Sequence, residues 1–204
     1  MSFRLAAVLL AAGRSSRMGR PKLLLPWGET SVLGHLIDQW QLLKAEQIAV
    51  VCAAGDFPVQ AELDRLGFSA RDRVVNTAPE RGMFSSIQCA AQWPGWNALL
   101  THWAIVLGDQ PHLSRQTLQT LLDFSATHPD RISLPRQGGH RRHPVIFPRR
   151  AFKELMTSKE QGLKNILDAP PLPLALCELD DPALEWDIDN PEDYERVARL
   201  FLHQ

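Results

Sequence analysis

The stretch FRLAAVLLAAGRSSRMGRPK (residues 3–22) contains two segments of opposite character. Residues 3–11 form a nearly continuous apolar run, which is typical of a strand covered on both faces in a parallel sheet. The segment that follows contains glycine and is basic, with Arg14, Arg17 and Lys22 and no acidic residue. Such a loop either holds phosphate groups or is a solvated turn that happens to be basic, and the rest of the chain has to decide between the two.

Apolar, strand-like runs alternate with amphipathic, helix-like segments through the first two thirds of the chain. This alternation, with short turns between the segments, predicts an open and mostly parallel sheet with helices on both faces. The predicted strands are 3–11, 47–54, 70–77 and 102–111, and the predicted helices are 31–44, 59–67, 84–93 and 114–128.

The last third is less regular. Residues 131–148 predict two strands joined by a polar Gly-Gly turn, and short helices follow at 149–156 and 160–169. A further strand and an acidic loop lead to a C-terminal helix that begins at Pro191, with Asn190 as its cap. We find no repeat, low-complexity tract or linker, so we expect residues 1–204 to form a single domain.

The composition is that of an ordinary globular protein, with 45% hydrophobic and 22% charged residues among 204. The net charge of −1 gives no general attraction to nucleic acid or to a membrane surface. No apolar run approaches the roughly 18 residues that cross a bilayer, and the N-terminal run fits a first strand better than a secretory leader. The cysteines have neither zinc nor disulfide spacing, so we expect small buried side chains in a reducing cytoplasm. They are Cys52, Cys89 and Cys177.

Ligands of open α/β sheets bind at the carboxyl ends of the strands, and the basic loop follows the first of these ends. Gly13 would allow a sharp turn that brings backbone N–H groups close to an anion. Arg14, Arg17 and Lys22 could then neutralise a triphosphate. The loop has neither the GxxxxGK[ST] nor the GxGxxG pattern, so P-loop and dinucleotide-binding folds lack their required residues. Serine-hydrolase and HExxH metalloprotease motifs are also absent from the sequence.

Acidic residues follow two other predicted elements. Asp109, in LGDQP (107–111), either holds Mg²⁺ beside a phosphate or only begins a turn before a proline, and Gly108 would leave room for a ligand. Asp187 and Asp189, in EWDIDNPED (185–193), would point the same way on an extended segment and could complete a metal site. The alternative is that the acids of this segment cap the last helix.

Two further segments are candidates with equally plausible structural roles. In NTAPERGMFSSI, Asn76 ends a predicted strand, while Ser85 and Ser86 either bind a ligand or cap a helix. In HRRHPVIF, the cluster His140, Arg141, Arg142 and His143 either faces an anionic substrate or forms a solvated hairpin turn.

Taken together, these segments resemble the MobA-like nucleotidyltransferases, and within them the molybdenum cofactor cytidylyltransferases, the MocA group. LAAGRSSRMGRPKLLLPWGE is similar to the family's nucleotide loop, LAAGxSxRMGxxKxLLPW. VVNTAPERGMFSSIQCA resembles its Asn and Gly-Met-x-Ser-Ser motif, LGDQP its GDxP, RHPVIFP its GHPVxF and DIDNPEDY its DIDTPEDL-like tail. The resemblance covers almost the whole chain in the same order.

The resemblance implies a Rossmann-like three-layer α/β/α fold with a mostly parallel central sheet, of the nucleotide-diphospho-sugar transferase type. It implies transfer of CMP from CTP to the molybdopterin cofactor with Mg²⁺, for which Mn²⁺ could substitute. The product would be molybdopterin cytosine dinucleotide, with pyrophosphate released, and a molybdenum hydroxylase apoenzyme would be a partner. LAAG favours the cytidylyl group, since the guanylyl group usually has LAGG at this place.

The resemblance also assigns roles to residues of this sequence. Arg142 departs from the glycine of GHPV and puts the acceptor in question, whereas Phe84, in place of a small residue of the Gly-Met-x-Ser-Ser turn, matters less. The nucleotide-binding residues would be Leu10, Ala11, Ala12, Gly13, Arg14, Ser15, Lys22, Asn76, Ser85 and Gly108. The catalytic residues would be Arg17, Lys22 and Asp109, the metal ligands Asp109, Asp189 and Asp187, and the acceptor-binding residues Arg142, His143 and Pro144.

Three other functions compete with this assignment. The chain could be a guanylyltransferase or a sugar-phosphate or polyol-phosphate nucleotidyltransferase of the same fold. It could be a non-catalytic carrier of the molybdenum cofactor, although a carrier has no need of a triphosphate-and-metal site. An NAD-binding oxidoreductase lacks both its glycine motif and its acidic residue.

Overall fold

The computed structural model describes residues 2–13 and 18–201, which contain one large sheet flanked by helices on both faces. The strands are β1 (Leu5–Ala11), β2 (Pro26–Trp27), β3 (Thr30–Ser31), β4 (Gln47–Ala53), β5 (Arg73–Asn76), β6 (His102–Leu107), β7 (Ile132–Gln137), β8 (His140–Arg141), β9 (Val145–Pro148) and β10 (Leu174–Glu178). The helices are α1 (Val32–Leu42), α2 (Phe57–Arg65), α3 (Met83–Gln92), α4 (Arg115–Ala126), α5 (Arg149–Glu154), α6 (Leu163–Asp168) and α7 (Pro191–Phe201).

The strand order of the large sheet is β10-β7-β9-β6-β1-β4-β5, and β8 pairs with β7. Strand β1 lies near the centre and pairs in parallel with β6 on one side and β4 on the other. Strand β9 is antiparallel to both of its neighbours, whereas β4–β5 and β7–β10 are parallel pairs. The predicted mostly parallel sheet is therefore confirmed, with β9 as an inserted antiparallel strand.

Alternate residues of β1 belong to two separate hydrophobic cores, one on each face of the sheet. Leu9 packs in the core that also contains the buried faces of α1, α2, α4 and α7. Val8 packs in the other core, together with residues of α3, α5 and α6. The apolar run that opens the sequence is thus buried on both sides, and the three-layer α/β/α class is confirmed.

The caps of several helices follow the sequence pattern. The Ser31 hydroxyl accepts a hydrogen bond from the Gly34 backbone N–H at 3.0 Å, and Ser114 accepts one from Thr117 at 3.0 Å. The Asn190 side chain accepts from the Asp193 N–H at 2.8 Å, which caps α7 as expected. Gly67 adopts φ +67 just beyond α2, the left-handed conformation that ends many helices.

The four strands predicted with bounds in the first part of the chain are all longer than the observed ones, and the difference is largest in two of them. The predicted strand 70–77 begins as a 3₁₀ turn, Ala70–Asp72, because the Ser69 side chain accepts from the Arg71 N–H and holds the chain in a turn. The predicted strand 102–111 ends at Leu107, where the backbone leaves the sheet at Gly108. Each of these two strands is thus shortened by a turn at one end, and its place along the chain is as predicted.

The remaining expectations concern cysteines and membrane spans. Cys52 and Cys177 are buried and Cys89 is half-buried, and all three are free thiols. Burial raises the pKa of the Cys52 thiol to about 12, as expected for an inert core side chain. Across residues 2–13 and 18–201, none of the helices has the length and apolarity that a bilayer crossing requires.

The buried face of α1 provides a direct test of this architecture. Leu36 is 1% exposed between helix and sheet, whereas Leu42 on the same helix is 62% exposed. We expect Leu36→Ala to lower the free energy of unfolding by about 2–5 kcal/mol, because it removes buried methyl groups and leaves a cavity. Leu42→Ala should change it by less than about 0.5 kcal/mol. Urea unfolding followed by circular dichroism measures both, and equal losses would contradict the assigned helix orientation.

Candidate functional site

A cavity of about 400 Å³ lies at the carboxyl ends of β1 and β6, where the N-terminus of α3 faces the turn after β6. The register of the two strands accounts for the position of the cavity, because Leu10 of β1 lies opposite Leu107 of β6 and the segments after both strands leave the sheet side by side. The lining residues are Leu10, Ala12, Gly13, Lys22, Leu23, Pro79, Gly82, Met83, Ser86, Leu107, Gly108, Asp109 and Asp189.

A charged cluster forms one wall of the cavity. The Lys22 Nζ lies 3.3 Å from Asp109 Oδ2 and 3.7 Å from Asp189 Oδ1, and it donates a hydrogen bond of 2.8 Å to the Ile188 carbonyl. The side chains of Lys22 and Asp109 are only 18% and 25% exposed, so the pair is partly shielded from water. Lys22 is thereby brought together with two acids that lie 87 and 167 positions later in the sequence, near the carboxyl ends of β1 and β6.

Asp187 is adjacent to this cluster but has a different partner. Its Oδ1 accepts a hydrogen bond of 2.9 Å from the buried Gln110 side chain, and it does not line the cavity, whereas Asp189 does. Desolvation first, and then the negative charges of Asp109 and Asp189, raise the pKa of Asp187 above its usual value. The structure therefore distinguishes the two acids, with Asp189 on the cavity wall and Asp187 behind it.

The donors available to a metal ion are all oxygen atoms, which suits Mg²⁺ or Mn²⁺. Asp109 Oδ1 is buried and has no hydrogen-bond partner among the described residues, so it has an unused acceptor. In that part of the chain, no three His, Cys, Asp or Glu side chains are arranged as a ready-made metal site. This fits Mg²⁺, which proteins often bind through one or two carboxylates plus phosphate oxygens and water.

Asn76 and Ser85 are placed in the structure as supports of the cavity. The Asn76 side-chain amide donates to Ser85 Oγ at 2.8 Å and to Ser86 Oγ at 3.0 Å, and its oxygen accepts from the Ala78 N–H at 2.9 Å. Asn76 is 1% exposed, and neither it nor Ser85 lines the cavity, whereas Ser86 does. Asn76 therefore positions the loop before α3 and the first turn of that helix.

The N-terminus of α3 is a feature that the site assignment from sequence missed. Gly82 stands at its N-cap with φ +88, no side chain caps the helix, and Gly82, Met83 and Ser86 line the cavity. A helix N-terminus presents backbone N–H groups and a partial positive charge to an anion. Met83 is 44% exposed and gives the same wall an apolar surface. A glycine immediately before an amphipathic helix was the signal in the sequence.

The glycines at the site differ from one another in role. A Cβ on Gly108 would lie 2.7 Å from the Leu23 side chain, so the absent side chain makes room for Leu23, and Gly108 itself lines the cavity. Gly13 also lines the cavity and does not adopt a left-handed φ, whereas Gly19 does, at φ +65. In the described part of the loop, the left-handed turn is therefore at Gly19.

The expected acceptor residues lie beside the cavity but do not line it. Arg142 pairs with Glu185 at 3.4 Å, and its Nε is buried without a hydrogen-bond partner in the described part of the chain. Burial lowers the pKa of His143 to about 4, although the negative charge of Asp109 acts in the opposite direction, so the ring is neutral at pH 7. Pro144 is buried next to it. Three loop residues, Arg14, Ser15 and Arg17, lie outside the described residues, and their predicted roles stay predictions.

A family model described as "MobA-like NTP transferase domain" matches residues 7–174. The match includes Lys22 and Asp109, whereas Asp187 and Asp189 follow it. The cavity wall is therefore built mostly from the family domain and completed by the segment that precedes α7.

Similar proteins are found at the level of both sequence and structure. The chain is 35% identical to the bifunctional protein GlmU of Pseudomonas aeruginosa strain LESB58 over 133 residues, which is 64% of this chain but 27% of that protein. It is 33% identical to a probable molybdenum cofactor guanylyltransferase of Rhodopirellula baltica over 65% of this chain and 61% of that protein. The chain thus spans about a quarter of the GlmU relative.

Among solved structures, Rv0371c of Mycobacterium tuberculosis H37Rv superposes with a TM-score of 0.79 and 28% identity, covering 96% of this chain and 98% of that one. A manganese complex of Rv0371c matches with a TM-score of 0.73 and 25% identity, covering 98% and 100%. The similarity extends over nearly the whole of both chains, which supports the fold described above.

The Asn76 network can be tested separately from ligand binding. We expect Asn76→Ala to lower the free energy of unfolding by about 1–3 kcal/mol, because buried Ser85, Ser86 and Ala78 groups lose their partner. Asn165→Ala, at an exposed position of α6, should change it by less than about 0.5 kcal/mol. Chemical denaturation compares the two variants. Unchanged stability with weakened nucleotide binding would instead make Asn76 a ligand residue.

Proposed function

This chain belongs to the family of MobA-like NTP transferase domains, and from that premise we propose that it is a Mg²⁺-dependent nucleotidyltransferase. The reaction we propose is transfer of CMP from CTP to the terminal phosphate of the molybdopterin cofactor. The products are molybdopterin cytosine dinucleotide and pyrophosphate. Mn²⁺ could replace Mg²⁺, and Rv0371c, a similar structure, is known as a manganese complex.

The observation that carries this proposal is the placement of Lys22, Asp109 and Asp189 on one wall of the cavity. A nucleoside triphosphate needs cations and N–H donors for its phosphates, and its metal ion needs carboxylates beside them. The lysine, the two acids and the N-terminus of α3 are these groups. A carrier of the cofactor alone would have no need of two acids placed to hold a metal ion beside a triphosphate, so the geometry favours an enzyme.

In the proposed reaction, an oxygen of the acceptor phosphate attacks the α-phosphorus of CTP and forms a new phosphoanhydride bond. The bond between the α- and β-phosphates breaks, and its electrons leave with pyrophosphate. Asp109 and Asp189 would hold Mg²⁺, which when bound withdraws charge from the phosphates. Lys22 and the N–H groups at the start of α3 hold the phosphates in line, so the protein contributes mainly position and charge neutralisation.

The base is the finer part of the proposal. Ala12 lines the cavity directly after β1, at the position where guanylyl enzymes of this family usually have the first glycine of LAGG. Its methyl group narrows the wall beside Leu10, which supports a pyrimidine over a purine. Guanylyl transfer is the second candidate, because one relative is named as a probable molybdenum cofactor guanylyltransferase.

The acceptor side would be formed by the segment after β8. We propose that Arg142 contacts the acceptor phosphate by leaving Glu185, and that His143 and Pro144 shape the floor beside Asp109. The 3.4 Å distance between Arg142 and Glu185 is that of a weak, partly solvated pair, which an anionic acceptor could replace. We further propose that the protein acts in the cytoplasm and delivers its product to a molybdenum hydroxylase apoenzyme.

Pyrophosphate release measured with each NTP, Mg²⁺ and the molybdopterin cofactor tests the reaction. We expect CTP to be the preferred donor, and Asp109→Asn to lower the rate by about 100-fold or more, since it removes a charge that faces the reacting phosphates. Asp123→Asn, which changes an exposed acid of α4, should keep the normal rate. Near-normal transfer by Asp109→Asn at saturating Mg²⁺ would refute the mechanism, and activity only with a sugar phosphate would refute the acceptor.

The role of Ala12 is tested by Ala12→Gly. We expect the ratio of kcat/KM for CTP to that for GTP to fall by about tenfold, because removing one methyl group opens the cavity wall to a larger base. Ala7→Gly is the matched control, since Ala7 of the same strand is 0% exposed in the core and does not line the cavity. It should change stability without changing the ratio. A wild-type preference for GTP, or equal ratios in both variants, would contradict the assignment.

A further inference from the structure

Three oxygen atoms of the described residues lie close to the ammonium group of Lys22. It donates to the Ile188 carbonyl at 2.8 Å and lies 3.3 Å from Asp109 Oδ2 and 3.7 Å from Asp189 Oδ1. The contact with Asp189 is an ion pair beyond hydrogen-bond distance. Two of the three belong to the carboxylates that would hold the metal ion.

This arrangement is fixed by the fold around it. Lys22 begins a 3₁₀ turn whose next residue, Leu23, packs into the space left by Gly108. The Ile188 N–H donates to the Asp109 carbonyl at 3.0 Å, which fastens the segment bearing Asp189 to the turn after β6. The lysine and both acids are thus carried by segments that contact one another. The pairing of Lys22 with the two acids is therefore held in place by the backbone around it, unlike an ion pair between exposed, mobile side chains.

The ammonium group and a divalent ion compete for the same two carboxylates, because the ammonium group lies against Asp109 Oδ2 and Asp189 Oδ1. A second cation within a few ångströms of Lys22 Nζ would be repelled strongly in a partly buried site. The ammonium also offsets the mutual repulsion of Asp109 and Asp189, to which Asp187 adds a third negative charge nearby. Among the described residues, Lys22 therefore offsets part of the negative charge of the nucleotide-free site.

We propose that Lys22 stands in for the metal ion in the nucleotide-free protein and keeps divalent ions from Asp109 and Asp189 until a nucleotide draws the lysine away. The proposal rests on the proposed function, because it needs the polyphosphate to be the group that attracts Lys22. Phosphate oxygens supply the ammonium with new acceptors and add the negative charge that makes a divalent ion favourable. Metal binding should then depend on nucleotide binding, and Lys22 would act in both.

Binding of Mn²⁺ alone to the full chain, followed by electron paramagnetic resonance of the unbound ion, tests this inference. We expect the wild-type protein to bind Mn²⁺ weakly, and to bind it tightly when α,β-methylene CTP is present. Lys22→Met should bind Mn²⁺ without nucleotide about tenfold or more tightly than wild type, as large as the effect of one neighbouring opposite charge on a carboxylate. Lys22→Gln should behave in the same way and serves if Lys22→Met folds poorly.

Two controls separate occupation of the site from net charge. Lys153→Met removes one exposed lysine of α5 and should leave Mn²⁺ binding at the wild-type level. This helix follows the end of β9 that pairs with the start of β6, whereas Asp109 follows the other end of β6. The double variant with Lys22→Met and Asp109→Asn should lose the gain, which shows that the ion binds beside Asp109. The melting temperature of each variant confirms that it is folded.

The outcomes distinguish this inference from the proposed function. Equal, tight Mn²⁺ binding to wild type and Lys22→Met without nucleotide would overturn the inference and leave the nucleotidyltransferase assignment intact. Equal, weak binding to both would overturn it in the same way, provided that wild type binds Mn²⁺ with the CTP analogue. If wild type bound no Mn²⁺ even with that analogue, the proposed metal and nucleotide site itself would fail.

Discussion

The pairing of β1 with β6 is the constraint on which the site depends. Their parallel register brings Leu10 opposite Leu107, so the segments that follow the two strands enter the same region. The segment after β1 leads to Gly13 and then to Lys22, and the segment after β6 leads to Asp109. Because β1 is buried on both faces, a one-residue slip would move its side chains into the wrong core, which makes this register strongly specified. The packing of the sheet thus determines the geometry of the charged cluster.

Much of this architecture could be predicted because its signals are local. A run of apolar residues indicates a doubly covered strand, and the alternation of such runs with amphipathic segments indicates a mostly parallel sheet. The order of the strands could not be predicted in the same way, since it depends on contacts between distant segments. Strand β9 shows the difference, because VIFP indicates only a strand, whereas its antiparallel place between β6 and β7 follows from packing over the whole second half.

Some features of the candidate site could likewise be predicted from the sequence, and others could not. Lys22 and Asp109 could be predicted as neighbours, since carboxyl strand ends share one edge of the sheet. Asp189 reaches them from the segment between the 3₁₀ turn Pro182–Glu185 and α7, which follows no strand directly. The role of Asn76 could not be predicted, because nothing in the sequence shows that its amide bonds two serines nine and ten residues later. Nor could the contact between Gly108 and Leu23, where a Cβ on the glycine would lie 2.7 Å from the leucine side chain. Packing partners of this kind become visible only once the chain is folded.

The acidic residues at and behind the cavity wall also oppose folding, which links the site to the stability of the molecule. Desolvation and the nearby acids raise the pKa of Asp187, so ionising this carboxyl group is harder in the folded chain than in the unfolded one. As the pH rises through the raised pKa, the folded state loses its extra proton and the stability that the proton brings. Lys22 offsets part of this repulsion by placing a positive charge between Asp109 and Asp189. A lysine that binds phosphates in the nucleotide complex would thus have a second task in the empty site, where it makes the same carboxylates compatible with a folded chain.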